Sequence, residues 1–284
     1  MEKNLFTWLH LSDLHFGHGP ASHRWDQRLV LQSLIEDLTQ LLAGDVPRPN
    51  VILITGDIAQ TGASSEYDEA RAWFSKLTAI TGVAGPDILV LPGNHDVQRQ
   101  AGQENRHTFR LLQSLRTKAE SIDEALGNPA DRELLAGRLA AYLEFERAIH
   151  SGQDNLAFQA PPLYWEVTRL TAEGLLIRFV GLNTALLSAD DRDRGCLYLG
   201  QEQLANTMRE RPSASMLLVV LSHHPCDWLG DGDSASKWLS THAHVHLFGH
   251  VHEPTTERVL TGGGSDLLRV VAGAVHHPDG NLRH

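Results

Sequence analysis

Short apolar runs alternate with longer amphipathic stretches through the first third of this 284-residue chain. Residues 5–11 mix apolar and polar positions and predict a first strand. From Trp25 to Leu42, the residues Leu31, Leu34, Ile35, Leu38, Leu41 and Leu42 recur at helical spacing and predict an amphipathic helix. Gly44, Pro47 and Pro49 end it. Residues 51–55 and 88–91 are continuous apolar runs, the pattern of strands covered on both faces. Ser64 and Ser65 open a helix that reaches about Leu77. Strands alternating with helices in this way predict parallel β-α-β units and an α/β class.

Residues 98–150 break that rhythm. They are charged, helical in pattern and free of chemical motifs, so they read as a helical insertion. It serves either as a cap over a site or as an outer layer. Strand patterns resume at 163–169, 175–182, 216–221, 244–248 and 267–272, with a helix at 201–209. The triple glycine at 262–264 predicts a hairpin turn, because no helix start follows it. With no repeat and no low-complexity linker, residues 1–284 read as a single domain carrying the insertion at 98–150.

Composition narrows the class. Apolar residues make up 42%, enough for a sizeable core. The 24 basic and 35 acidic residues leave a formal charge of −11, which argues against long nucleic acid or an anionic membrane as partner. Cys196 and Cys226 are too few for a disulfide framework, so a reducing, cytoplasmic location is expected. No apolar run suggests a signal peptide or a membrane span. Oligomeric state leaves no trace in the sequence.

Candidate chemistry lies just past the strands. Asp13 and His15 follow the first, Asp57 the second, and Asn94, His95 and Asp96 the third. His223 follows the run at 216–221, while His250 and His252 follow 244–248. In open α/β sheets, ligands bind at the edge where such residues gather. Asp13 and His15 alone, or Gly56 and Asp57 alone, would be ordinary turns. Together the seven make a ligand set for two divalent ions about 3.5–4 Å apart. Asp57 is the candidate bridge. Asp13, His15 and His252 complete one ion, and Asn94, His223 and His250 the other. Imidazole and oxygen donors suit Mn²⁺, Fe or Zn²⁺ better than Mg²⁺ or Ca²⁺. Two such ions carry +4 and the two aspartates −2, leaving charge for a hydroxide nucleophile and a phosphodiester monoanion. His95 is placed to protonate a leaving alkoxide, and Asp96 either orients His95 or supports the ligands from behind.

Among the 17 histidines, His10 reads as a core or supporting residue inside the first strand. His242, His244 and His246 alternate along a strand entry and predict a solvated or packed face. His276 and His277 read as loop residues. His223 competes with its neighbour His224, but the residue directly after the strand faces the sheet edge. His224 then turns to the substrate side or to solvent. Arg24 and Lys237 are possible phosphate contacts without a spacing argument.

The set AspLeuHis, GlyAsp, GlyAsnHisAsp, HisHis and GlyHisValHis resembles the calcineurin-like metallophosphoesterase family across residues 6–252. The resemblance implies a four-layer αββα sandwich, two packed mixed β-sheets flanked by helices, with a binuclear metal centre. It places ligands on Asp13, His15, Asp57, Asn94, His223, His250 and His252, and a catalytic histidine at His95. GlyGlnGluGln at 200–203 resembles the helix start of the cyclic-nucleotide phosphodiesterase branch, whereas HisLeuSerAspLeuHisPheGly at 10–17 is common to several branches, nucleases included. Family members continue with further strands beyond the region at 267–273, so a shortened sheet with an unpartnered edge is expected.

The expected activity is hydrolysis of a small phosphodiester such as a cyclic nucleotide. A phosphomonoesterase would need a cation for a second phosphate charge, and a nuclease a basic groove that this chain does not advertise. A metal-free interaction module would be expected to lack ligands. The catalytic part of a larger signalling protein remains an open alternative.

Overall fold

The computed structural model describes residues 6–19, 25–150, 163–209, 212–213, 215–260 and 266–275. The triple glycine, Arg24, His276 and His277 lie outside the described residues. Strands β1 (Trp8–Leu11), β2 (Val51–Thr55) and β3 (Ile88–Leu91) pair in that order, all parallel. Helices α1 (Trp25–Ala43) and α2 (Ser64–Thr81) make the crossovers. The α2 start is closed by the Glu66 carboxylate, which accepts from Ala63 N at 3.0 Å. The helix runs to Thr81, four residues beyond the Leu77 that the apolar pattern suggested, and Gly82 caps it. There a left-handed φ of 77° lets the amide reach back to Thr78 O.

The second sheet has six strands in the order β4 (Trp165–Leu170), β5 (Leu176–Gly181), β6 (Met216–Leu221), β7 (Val245–Phe248), β9 (Asp266–Val271), β8 (Thr255–Leu260). Its outer pairs β4–β5 and β8–β9 are antiparallel and its centre is parallel. The two sheets pack face to face and helices flank them.

Alternation along the buried strands assigns each face. Val51, Leu53, Leu89 and Leu91 meet Phe179, Val219, Leu221 and Leu247 between the sheets. Ile52, Ile54, Ile88 and Val90 point the other way, into the helical layer with Tyr67, Phe74 and Leu77 of α2. Both faces are dry, so the strands read as continuous apolar runs.

Two elements had no apolar signature. β8 is almost wholly exposed at the sheet edge, and its ThrThrGluArg start carries no alternation. Helix α9 (Gly232–His242) opens on glycine and serine. His242 therefore sits in the last turn of a helix, stacked on Trp238, and not on a strand entry. Beyond β1, the chain returns to the first sheet through an isolated parallel bridge between Ser12 and Ala274.

The insertion is five helices: α3 (Arg99–Glu104), α4 (Arg106–Arg116), α5 (Ile122–Gly127), α6 (Pro129–Gly137) and α7 (Ala140–His150). Asn105, Ser121 and Asn128 cap α4, α5 and α6 with side-chain oxygens, which is why the stretch is broken into short pieces. Helix α7 packs on α2 and β3, and α5 touches α8 (Gln201–Thr207). Leu111, Leu115, Tyr142 and Phe145 join the same apolar cluster as the β-α-β core.

One buried acid marks this packing. Glu146 meets the Tyr142 hydroxyl at 3.4 Å, and burial pushes its carboxyl up to about 8 despite Tyr142 and Arg147. The folded state thus favours the protonated acid. The stability this gives is complete below about 4.5, the unfolded value, and is lost as pH rises through about 8. Urea midpoints should fall across that window by an amount worth at most about 5 kcal/mol, and Glu146→Gln should flatten the slope. An unchanged slope in the variant would assign the effect elsewhere.

Candidate metal centre

The strands end at one edge, and their pairing continues into the loops. Asp13 N donates to Gly56 O, His15 N to Asp57 O and Gly249 N to His223 O. These bonds join four loops in two pairs, and His250 N links the pairs by donating to Asp13 Oδ2, so side chains far apart in sequence converge. Gln27 of α1 donates to the carbonyls of Leu14 and His15 from behind. Gly56 (φ 96°) and Gly93 are required by close approach. A Cβ on the first would lie 2.6 Å from His223 Nδ1, and one on the second would strike the Asp57 carboxylate.

Backbone conformation sets the site apart. Six non-glycine residues among those described have positive φ, and five are Asp13, His15, Asp57, His250 and His252. Left-handed backbone is uncommon outside glycine, and each instance costs on the order of 1 kcal/mol or more. Turns chosen for stability alone would carry glycine there.

The side chains face one another. Asp57 Oδ2 lies 3.3 Å from His223 Nε2 and 3.9 Å from His15 Nε2. Asp13 Oδ1 lies 3.3 Å from His252 Nε2 and 3.9 Å from His15 Nε2. Asn94 Oδ1 is 3.1 Å from His223 Nε2. Ligand bonds of about 2.0–2.2 Å place neighbouring donors roughly 3–3.5 Å apart, as found for His223 and His252, while His15 stands slightly wider at 3.9 Å. Groups that could hold an ion are Asp13–His15–His252, Asp13–Asp57–His223, His15–Asp57–His95 and His223–His224–His250.

The residues fit a pair of cations on a test independent of spacing. His15 is buried, yet neither of its ring nitrogens has a hydrogen-bond partner. His223 Nδ1 meets the Thr55 carbonyl at 2.7 Å. A carbonyl only accepts, so Nδ1 carries a hydrogen, and the neutral ring would have its Nε2 lone pair free for an ion beside the Asp57 carboxylate. A buried carboxylate facing an imidazole nitrogen calls for positive charge between them, either a proton on the ring or a metal ion that takes its place.

The electrostatics agree. Burial pushes the Asp57 carboxyl up, but His223 and His15 outweigh it and hold it well below the usual carboxylate range. Asp13 is likewise lowered against burial, by His252, His223 and His15. Burial takes His15 down to about 4 and His250 to about 3, leaving neutral imidazoles. Two candidate ligand histidines go the other way: the Asp13 hydrogen bond raises His252, and His223 is driven up to about 9, where burial opposes its charge but Asp57 prevails.

His95 and Asp96 take different parts. His95 Nδ1 lies 2.8 Å from Gln60 O, and its backbone N donates to Asp57 Oδ1 at 2.8 Å. Its ring packs edge-on against His15 at 4.9 Å. The Asp96 carboxylate accepts from Ile58 N, Ala59 N, Gly93 N and the Tyr67 hydroxyl. Of the two roles expected for Asp96, this geometry matches support of the loops. The orienting acceptor for His95 is the Gln60 carbonyl.

His224 is buried and not turned to solvent. Its Nδ1 pairs with Thr184 Oγ1 at 2.9 Å, and its Nε2 is unpartnered. Burial pushes it well below its usual range, and His223, His250 and Arg99 act in the same sense. His10 meets Thr55 Oγ1 at 2.9 Å, and His246 pairs with Ser222 Oγ at 2.8 Å, so both support the loops from behind. Lys237 lies exposed on α9. Gln27, Gln60, Tyr67, Thr184 and Trp228, whose ring abuts His250 at 4.0 Å, carried no signal in the sequence.

Fold and donors define a two-sheet α/β protein with a loop-built centre for two cations. The chain belongs to the calcineurin-like phosphoesterase family, whose model matches residues 6–254. That family uses a binuclear divalent metal centre and hydrolyses phosphoesters. The chain is 25% identical over 166 residues to the glycerophosphodiester phosphodiesterase GpdQ of Enterobacter lignolyticus, covering 54% of this chain and 56% of that protein. It thus spans about half the length of the curated relative it matches. Among solved structures, PhoD aligns at 13% identity and a TM-score of 0.50, over 95% of this chain and 56% of that one. A dimetal phosphatase from Danio rerio aligns at 14% identity and a TM-score of 0.47, over 97% and 90%. The likeness to PhoD bears on the fold alone. No helix among the described residues is long and apolar enough to cross a membrane.

Proposed function

We propose that the protein is a two-metal phosphodiesterase acting on small diesters. One observation carries the reading: Asp57 Oδ2 stands within reach of both His15 and His223, the position of a bridging carboxylate. Asp13, His15 and His252 would hold one ion, and Asn94, His223 and His250 the other. Bound there, Mn²⁺, Fe or Zn²⁺ ions would supply Lewis acidity and a water activated near neutral pH. The chain's own groups do the rest. Thr55 O fixes the His223 tautomer. Gln60 O holds one hydrogen on His95 Nδ1, so the imidazolium form carries its second proton on Nε2 and can pass it to the leaving alkoxide, becoming neutral. Asp96 and Tyr67 keep the two ligand loops in register.

Preference for a diester is supported by the GpdQ relative's activity and by the charge left over when two aspartates meet two divalent ions. Cyclic nucleotides and glycerophosphodiesters are the first substrate classes to try. The test is the initial rate of Mn²⁺-loaded protein on bis(p-nitrophenyl) phosphate beside p-nitrophenyl phosphate. Faster diester turnover is expected. A monoester preference would make the protein a phosphatase, and no turnover by protein holding two ions per chain would overturn the hydrolase reading.

A further inference from the structure

Three arginines of the insertion face the loop at 186–193, and they are not equally committed. Arg138 is almost fully buried, with its terminal nitrogens on the carbonyls of Leu186 and Ser188. Arg116 binds Leu187 O and the buried carboxylate of Asp193. Arg99 differs. Among the described residues its one hydrogen bond runs from Nη1 to Asp191 Oδ1 at 3.2 Å, and its Nε is buried without a partner. The Asp191 side chain is 99% exposed, and the Arg99 side chain 27%. An ion pair with so exposed a partner is worth at most about 1 kcal/mol, so an incoming anion can replace it at little cost.

Position gives this cation a purpose. Arg99 opens α3, four residues after His95. The loop it pairs with begins next to Thr184, whose hydroxyl binds His224 Nδ1. His224 stands in one group with His223 and His250. A loosely held cation is thus carried by the segment that follows His95 and paired with the loop that follows Thr184.

We infer that Arg99 binds a second anionic group of the substrate, a carboxylate or phosphate on the substituent beyond the scissile phosphoryl group, and that Asp191 holds its place until substrate arrives. The inference rests on the phosphodiesterase reading and adds a substrate class: small phosphodiesters bearing a further negative charge. Arg99 would act in specificity, and the insertion would contribute to recognition through the first residue of α3.

The test uses two matched pairs that differ by one carboxylate. Glycerophosphoserine and glycerophosphoethanolamine are compared in turnover, and phosphoserine and phosphoethanolamine in binding to Mn²⁺-loaded protein by calorimetry. Loss of a charge-assisted hydrogen bond is worth about 1.5–3 kcal/mol. Arg99→Gln should therefore raise KM for glycerophosphoserine and Kd for phosphoserine roughly tenfold to hundredfold, with kcat and the ethanolamine compounds changed less than about threefold. Asp191→Asn should leave those two constants unchanged or lower them. Equal losses on both members of a pair, or an Asp191→Asn variant as impaired as Arg99→Gln, would make the ion pair a structural clasp and overturn the inference. So would an Arg99→Gln effect confined to p-nitrophenyl phosphate, since the second charge would then sit on the phosphoryl group itself. If wild-type protein turns over neither diester, the hydrolase reading fails, while the calorimetric pair still decides the role of Arg99.

Discussion

Asp57→Ala should abolish turnover, lowering kcat on bis(p-nitrophenyl) phosphate by on the order of 10⁴-fold or more. The carboxylate has two duties. Its Oδ2 lies 3.3 Å from His223 and 3.9 Å from His15, while its Oδ1 accepts from the backbone N of His95. Removing it takes a ligand from both halves of the centre and frees the loop that carries the proton donor. Metal analysis should find fewer than one ion per chain where wild type holds two. Asp57→Asn keeps the shape and the bond to His95 N, so it should retain more metal than the alanine variant. Wild-type metal content with wild-type rate in Asp57→Ala would refute the bridging assignment.

The second large effect separates binding from chemistry. His95→Ala should keep both ions and lose about 10²–10⁴ in kcat, the usual contribution of a positioned general acid. The bond from its backbone N to Asp57 survives the substitution, so the ligand loop has no reason to move. The loss should be greatest for esters with poor leaving groups, because an alkoxide needs the proton more than a nitrophenolate does. Metal loss from this variant would make His95 a ligand, in line with its grouping with His15 and Asp57.

The candidate ligands were legible because most follow a buried apolar run, and a buried strand leaves few choices for where its loop emerges. Asp57 and His223 follow such runs, whereas Asp13 follows the half-buried β1 with His10 inside it. The tautomer of His223 was not legible, since it depends on a carbonyl at Thr55, 168 residues away in sequence. Nor was the partner of His95, because main-chain oxygens leave no residue-type signal. Asp96 stood out through its motif, but its role became clear only when Tyr67 was seen to close on it from α2. β8 stayed hidden because an exposed edge strand has no inward face to pattern. The insertion was recognised as helical, while its union with the main core needed the packing of Leu111, Tyr142 and Phe145.

The left-handed residues set a limit on how this protein can be improved. Asp13, His15, Asp57, His250 and His252 sit where glycine would fold more comfortably. A laboratory selection that rewarded survival on heating, and ignored turnover, would find some of its easiest gains by erasing the centre one residue at a time. Heat tolerance and catalysis therefore draw on the same few backbone angles, and any programme to harden the enzyme must keep activity in the screen from its first round.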